Sequence, residues 1–373
     1  MSGGVDSSVA AALLVEAGDY EVIGITMQLW PKAWCNLPPT PKSCCSLRDA
    51  EDARAVAARL GIPFYVLDLV EDFQHHVIDY FTRSYEEGLT PNPCIACNDH
   101  IKFGALMRQG ELLGASKVAT GHYARVAHEA ASDRYLLQRG VDEAKDQSYV
   151  LFGLTQAQLA RTLLPLGTYT KAQVRLLAHE RGLLTAEKAE SQDICFLRGG
   201  SKDDFLAPRT THLKEPGPIV DTHGRVLGHH AGLLGFTVGQ RHGLGIAAAH
   251  PLYVLALDVA RHWLIVGTRE ELSQPTCRVE RVNWLIAPPP TGTSLEVRVR
   301  IRAHHPLTPA TLVMEADGAV RAHFHEPQTA VTPGQAAVFY DGETVVGGGW
   351  ITKPHADVIT AQAPTPASAS CPA

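Results

Sequence analysis

Apolar and polar positions follow two different periods along this chain. Up to about residue 185, short apolar runs are separated by stretches with helical spacing. Glu21–Met27 (EVIGITM) is nearly continuous in apolar side chains, the pattern of a strand buried on both faces. Pro63–Leu69 (PFYVLDL) and Lys117–Thr120 read as further strands. Leu47–Leu60 has helical spacing and meets Gly61, a natural C-terminal cap; Ile101–Leu113 closes in the same way at Gly114. Strands alternating with helices predict an α/β domain built on a parallel sheet with helices on both faces.

From about residue 210 the helical period fades, and Gly and Pro become frequent. Short β runs follow at Leu252–Leu257, Trp263–Val266, Leu295–Ile301 and Ala336–Tyr340, with a stiff break at Ala287–Pro290 (APPP). The expected organisation is an α/β domain over 1–207, a small middle domain over 208–276 and a C-terminal β-barrel over 277–355. The end of the chain, 356–373, is rich in Ala, Pro, Ser and Thr, cannot bury a core and is expected to be disordered.

Composition narrows the function. With 373 residues, 45% of them hydrophobic, the chain can bury two or three cores. No apolar run is long enough to span a bilayer, and no basic stretch followed by an apolar one marks a secretory signal. A cytoplasmic protein with no membrane partner is therefore expected. The formal net charge of −6 argues against a generally basic nucleic-acid binder but leaves room for a local basic face. The chain has eight cysteines, and without an export signal these point to metal, redox or nucleophilic chemistry rather than a disulfide scaffold.

The first candidate site is the opening string Ser2-Gly3-Gly4-Val5-Asp6-Ser7-Ser8 ahead of an apolar helix. Glycines let backbone N–H groups approach a phosphate, and the following helix adds its positive end. The lysine that a Walker A loop requires is missing. Such a loop ordinarily leaves the end of a central strand. None precedes Met1, and the expectation is that the true start lies about ten residues upstream. The second candidate is Asn92-Pro93-Cys94-Ile95-Ala96-Cys97, a CxxC at a helix start, where thiol pKa values are lowered. A third cysteine stands at Ser191-Gln192-Asp193-Ile194-Cys195. A redox disulfide, a three-thiolate metal site, a nucleophile pair and buried structural thiols are all open to this set. Cys44-Cys45 reads as structural, since adjacent cysteines do not easily bridge. The 18 histidines show no HExxH spacing and read as surface or polar core.

SGGVDSS is similar to the PP-loop of the ATP-pyrophosphatase superfamily. Together with LTPNPCIACNDHIKFGAL, ATGHYARV, AKDQSYVLFGL, LLPLGTYTK, ESQDICFL, FTVGQRHGLGI and AVTPGQAAVFYDGETVVGGGWI, it makes the chain resemble the tRNA-specific 2-thiouridylase family over nearly its whole length. The resemblance implies a Rossmann-like N-terminal domain of the adenine nucleotide α-hydrolase type. It implies ATP with Mg2+, adenylation of the 2-oxygen of the wobble uridine in tRNAs for Lys, Glu and Gln, and then attack by sulfur at carbon 2. Met1, Ser2, Gly3, Gly4, Val5, Asp6 and Ser7 would hold ATP, with Met27 and Gly121. Cys97 would be the nucleophile and Cys195 the persulfide carrier. Asn92, Pro93 and Cys94 would meet the target base. His122, Lys145, Asp146, Gln147, Arg302, Ala303 and Gln335 would contact tRNA. A sulfur-relay protein or cysteine desulfurase would supply sulfur to a monomer.

Two departures matter. Many members carry an Asp, a proposed acid/base catalyst, where this chain has Cys94, and members with CxxC are thought to hold a 4Fe–4S cluster. By that view Cys94, Cys97 and Cys195 would be cluster ligands. The family also tends to have a tyrosine at the position of Ala303. Glu296–Arg302 (EVRVRIR) alternates so that Arg298, Arg300 and Arg302 are predicted to share one strand face, ordinarily a solvated one; because the family's tRNA-touching pair falls at its end, the resemblance implies a stripe for phosphates. Two other readings are a non-catalytic tRNA- or iron–sulfur-binding protein, and a different PP-loop adenylating enzyme.

Overall fold

A computed structural model of the chain describes residues 1–31, 47–189, 194–197 and 200–353. Cys35, Cys44, Cys45, Asp193, Cys371 and the 356–373 tail lie outside the described residues.

The α/β expectation holds, in a modified form. Helix α1 (Val5–Ala17) leads to strand β1 (Gly24–Gln28), helix α2 (Leu47–Arg59) and strand β2 (Phe64–Asp68), with β1 and β2 parallel. Strands β3 (Val118–Ala119) and β6 (Thr162–Leu163) form a second parallel pair. Among the described residues the two pairs share no ladder bonds, so the sheet is split. Val66 of β2 is 44% exposed and borders the large cavity described below, where a doubly covered strand would bury it. Helix α1 packs its apolar side, Val5, Val9, Ala10 and Ala12, with Val56 of α2 and with Val174 and Ala178 of helix α3 (Lys171–Glu180).

The Ile101–Leu113 helix expected from the sequence is longer and wound differently. It begins with one α-turn at Pro93–Ala96, continues as a π-helix over Cys97–Ala105 and returns to α winding over Leu106–Leu112. Ile95, Phe103 and Met107 of this helix are buried beside Tyr149, Leu151, Phe152 and Leu154 and against barrel residues Val338, Tyr340 and Val345. The core of the N-terminal half is thus continuous with the C-terminal one.

Strands β7 (Gly217–Val220), β8 (Val226–His230), β9 (Tyr253–Asp258) and β10 (Trp263–Gly267) form a separate four-stranded sheet in the order β8-β7-β10-β9. The barrel consists of β11 (Ser273–Trp284), β12 (Ser294–Arg300), β13 (Thr308–Met314), β14 (Val320–Thr329), β15 (Ala336–Asp341) and β16 (Thr344–Ile351). Its strand order β11-β14-β13-β12-β15-β16 closes through a β11–β16 pairing, which leaves no edge within the ring. Inward positions alternate as the period-2 pattern requires: Val297, Val299, Ala310, Leu312, Val320 and Ala322 fill the interior. The hairpin β4 (Ala124–Glu129) and β5 (Arg134–Arg139), which belongs by sequence to the N-terminal half, pairs onto β16 at Gln138–Thr344 and Leu137–Val345.

Candidate active site

The phosphate loop is held by groups from four places. Gly3 has φ +68°, and a Cβ there would run into the Asp49 carbonyl, so only glycine fits. Lys188 Nζ donates to the Gly3 carbonyl (2.9 Å) and to carboxylates of Asp49 and Asp52 (2.6 Å each). Burial works against the Lys188 charge, but its two carboxylate partners outweigh it and the ammonium is held above its usual range. Gly4 is the N-cap of α1 and offers no capping side chain. The first N–H groups of the helix are therefore left for a ligand, at its positive end. Asp6, in the first turn, accepts from Lys171 Nζ (2.7 and 2.8 Å) and from the Tyr123 hydroxyl (2.7 Å). Gly121 lies so close that a Cβ would stand 2.8 Å from the Asp6 carbonyl carbon and 2.9 Å from the Ser7 nitrogen.

The cysteine motif is shaped by its cap. Asn92 Oδ1 accepts from the Cys94 N–H (3.1 Å) and Pro93 occupies N1, the arrangement that starts a helix most readily. Cys94 is exposed, while Cys97 is half-buried. Cys195 opens a one-turn 3-10 helix, Cys195–Leu197, and is also half-buried. The buried ring of Phe196 anchors that turn: it packs edge-on against Phe73 and Phe81, with centroids 6.3 and 4.9 Å away, and tilts against Phe205 at 4.9 Å. Cys97 and Cys195 pack against this same cluster.

One cavity of about 1820 Å³ joins these parts. Met1, Ser2, Gly4, Val5, Asp6, Ser7, Met27 and Gly121 line it, as do Pro93, Cys94, Cys97 and Cys195. Lys145, Asp146, Gln147 and the barrel residues Ala303 and His304 also border it. Gly3, Asn92, Arg302 and Gln335 do not reach its wall. Gly3 and Asn92 act behind it, through the contacts above. Gln335 donates from Nε2 to the Thr90 carbonyl (2.9 Å), tying the barrel to the residues just before the cysteine motif.

Several sequence expectations are corrected. The arginine stripe does not form. β12 ends at Arg300, and Arg302 lies beyond it, exposed. Arg300 is 7% exposed because the 140s loop covers that face; its guanidinium bonds Asp146 (3.0 Å) and lies over the Tyr340 ring. Asp146, expected at the tRNA surface, has a fully buried side chain that also accepts from the Gly140 and Ser148 N–H groups. Gln147 Oε1 accepts from the Tyr123 N–H (3.0 Å). His122 is buried, with both ring nitrogens occupied by Thr120 and Lys102. Among the described residues no group of three Cys, His, Asp or Glu side chains is placed to hold a single metal ion. Cys94, Cys97 and Cys195 border one cavity and are the residues that would hold a cluster there.

Sequence reasoning missed Lys102, Tyr123, Lys171 and Lys188. Lys188 lies in no quoted string, whereas Lys171 closes LLPLGTYTK and Tyr123 lies in ATGHYARV, both legible as motif residues but not as partners of Asp6. Lys102 sits in the quoted CNDHIKF string, five residues after Cys97, a spacing that an α-helix would turn to another face.

Three family models match the chain: tRNA methyl transferase HUP domain over 1–199, tRNA methyl transferase PRC-barrel domain over 203–268, and aminomethyltransferase beta-barrel domain over 274–351. Among curated relatives, the tRNA-specific 2-thiouridylase MnmA of Moorella thermoacetica is 52% identical over 353 residues, covering 94% of this chain and 98% of the relative. The enzymes of the same name from Chloroflexus aggregans and Geobacter metallireducens are each 50% identical, covering 95% and 94% of this chain and 98% and 95% of their own lengths.

Proposed function

The chain belongs to the tRNA-specific 2-thiouridylase family, and on that premise we propose that it replaces the 2-oxygen of a tRNA uridine with sulfur, using ATP. The observation that carries the reading is the single cavity bordered by both the phosphate loop and the three cysteines. A phosphate site alone fits many adenylating enzymes, and thiols alone fit many redox proteins. Their shared cavity fits a reaction in which an oxygen is activated by AMP and then displaced by sulfur.

The chemistry runs in two steps. ATP, as its magnesium complex, lies with its phosphates on the loop at Ser2–Ser7 and its adenosine toward Met27 and Gly121. The uridine 2-oxygen attacks the α-phosphorus, the bond to the β-phosphate breaks, and pyrophosphate leaves with the electron pair. The N3 proton passes to solvent. A persulfide on Cys195, loaded by an external cysteine-derived sulfur donor, then attacks carbon 2 through its terminal sulfur. The carbon–oxygen bond breaks and AMP leaves. The Cys97 thiolate next attacks Sγ of Cys195 and releases the thiolated base, which regains a proton. This leaves a Cys97–Cys195 disulfide, which a dithiol reductant restores. A thiolate is a strong nucleophile near neutral pH, so the slow part is activating the uracil carbonyl, which adenylation accomplishes.

A wobble uridine in tRNAs for Lys, Glu and Gln is the target this reading names. Cys94, Cys97 and Cys195 would be the ligands of a 4Fe–4S cluster, whereas the persulfide route uses Cys97 and Cys195 alone. Iron and acid-labile sulfide measured on anaerobically purified protein test that choice, and about four of each per chain would replace the persulfide account. The reaction itself is tested by incubating unmodified tRNA with ATP, a persulfide donor and the protein, then analysing nucleosides by mass spectrometry. A 2-thiouridine that depends on both ATP and Cys195 is expected. Sulfur-free nucleosides alongside ATP turnover would point to another adenylating enzyme.

A further inference from the structure

Lys102 is a cation that the structure points into the cavity without a counter-ion. It is half-buried and lines the cavity, and among the described residues no carboxylate lies within ion-pair distance of it. Its hydrogen-bond partner is an imidazole: Lys102 Nζ lies 3.3 Å from His122 Nε2. An ammonium has only protons to donate, so Nε2 is the acceptor. The His122 proton then sits on Nδ1, directed at Thr120 Oγ1, 2.7 Å away. Burial, and secondly the charge of Lys102, hold the His122 pKa well below its usual value, so the ring stays a neutral acceptor.

Local winding explains how Lys102 reaches this place. In an α-helix, residues five apart point about 140° away from each other. Cys97 and Lys102 lie instead in the π-wound segment Cys97–Ala105, whose i→i+5 hydrogen bonding continues into the N–H of Leu106 bonded to the Ile101 carbonyl. That winding brings both side chains to the same cavity. On the other side, His122 follows Gly121, which packs directly on Asp6 and Ser7 at the start of α1. Lys102 therefore stands between the cysteine helix and the positive end of α1. A half-buried cation that has, among the described residues, a neutral imidazole and no carboxylate as its partner, beside a helix N-terminus, is arranged for an anion.

Resting on the thiolation reading above, we propose that Lys102 is a catalytic residue that bonds a non-bridging oxygen of the ATP α-phosphate, and that His122 is the positioning residue that aims it. The charge on that phosphate grows as the 2-oxygen attacks and pyrophosphate departs. It is carried off again when AMP leaves carbon 2. Lys102 stays protonated throughout and exchanges no proton with substrate. Fixed donors aimed at developing charge are typically worth about 100-fold in rate each.

The test uses full-length protein and unmodified tRNA, with single-turnover release of pyrophosphate as the readout. Lys102→Gln is expected to lower the rate constant about 100-fold with the KM for ATP little changed. Lys102→Arg is expected to recover part of the loss. His122→Gln, which keeps an acceptor for Lys102, is expected to retain more activity than His122→Leu. The two diastereomers of α-phosphorothioate ATP supply a readout that a structural role would not move: wild type is expected to discriminate between them and Lys102→Gln to lose most of that discrimination. If the ratio is unchanged in Lys102→Gln, or pyrophosphate release stays fast while only sulfur transfer slows, the proposal is overturned, and Lys102 serves the Cys97 thiolate instead. If wild type forms 2-thiouridine but releases no pyrophosphate, the proposal falls while thiolation stands. If it forms neither, both fall.

Discussion

At Asp99 a carboxyl is buried two residues after Cys97, with its Oδ1 unpartnered, packed so tightly against Gly153 that a Cβ there would strike it. Burial pushes its pKa from 3.8 up to about 7. The folded protein therefore keeps a proton that the unfolded chain releases above pH 4. This favours folding fully below about pH 4, and the advantage is lost as pH rises through 7. The window is worth on the order of 4 kcal/mol. Asp99→Asn is expected to flatten the stability–pH curve between pH 4 and 7 and to be more stable than wild type at pH 8 by urea denaturation; parallel curves would contradict this. Nothing in the sequence marks Asp99, because its character comes from contacts with residues about fifty positions away. The cysteines are the opposite case. A CxxC after Asn-Pro, and a third cysteine far along the chain, are legible as a set, and the structure brings all three to one cavity.

Among the elements, the phosphate loop was the most legible, since its glycines, serines and following helix are contiguous. Its fixed shape was not, because Asp49 and Lys188 come from distant segments. Gly3→Ala puts a Cβ against the Asp49 carbonyl at a backbone angle that disfavours side chains. It is expected to weaken ATP binding at least tenfold by calorimetry, roughly the 1–3 kcal/mol of such strain, and to change tRNA binding little. Equal ATP affinity would show that the loop does not hold the nucleotide in this form. The cysteine helix was legible as a helix from its apolar spacing. Its π winding was not, because the spacing of apolar residues does not distinguish the two windings over nine residues. Strands β9, β10, β12 and β15 follow the apolar runs read from the sequence to within a residue or two. The split between the β1–β2 and β3–β6 pairs was not readable as such, since pairing is a property of strands and not of one run.

At the scale of the whole molecule, the α/β, middle and barrel parts are welded by contacts that alternation cannot foresee. Arg298 and Arg300 alternate identically in sequence, yet the first is exposed and the second buried against Asp146, because the 140s loop covers only one. Arg300→Ala is expected to destabilise the protein by about 3 kcal/mol, since it leaves the Asp146 carboxylate buried with less compensation. The exposed Arg302→Ala is expected to leave the melting temperature unchanged but to weaken tRNA binding and lower its salt slope by about one. Destabilisation by Arg302→Ala, or a normal melting temperature in Arg300→Ala, would reverse these assignments. The same reasoning explains the hairpin β4–β5: it reads as part of the N-terminal half but completes its pairing on β16 of the barrel. Barrel, loop and cysteine helix thus share one core, and the site is built at their junction.

The central claim is that adenylation and sulfur transfer take place in one cavity, with Cys195 delivering sulfur and Cys97 releasing the product. The most direct measurement is a gel of Cys97→Ser, loaded with a persulfide donor and incubated with unmodified tRNA, with and without ATP. A covalent enzyme–tRNA adduct that requires ATP and Cys195, and that dissolves on adding a thiol to give 2-thiouridine, is the expected result. Free 2-thiouridine released by Cys97→Ser without added thiol, or no adduct despite pyrophosphate release, would contradict it.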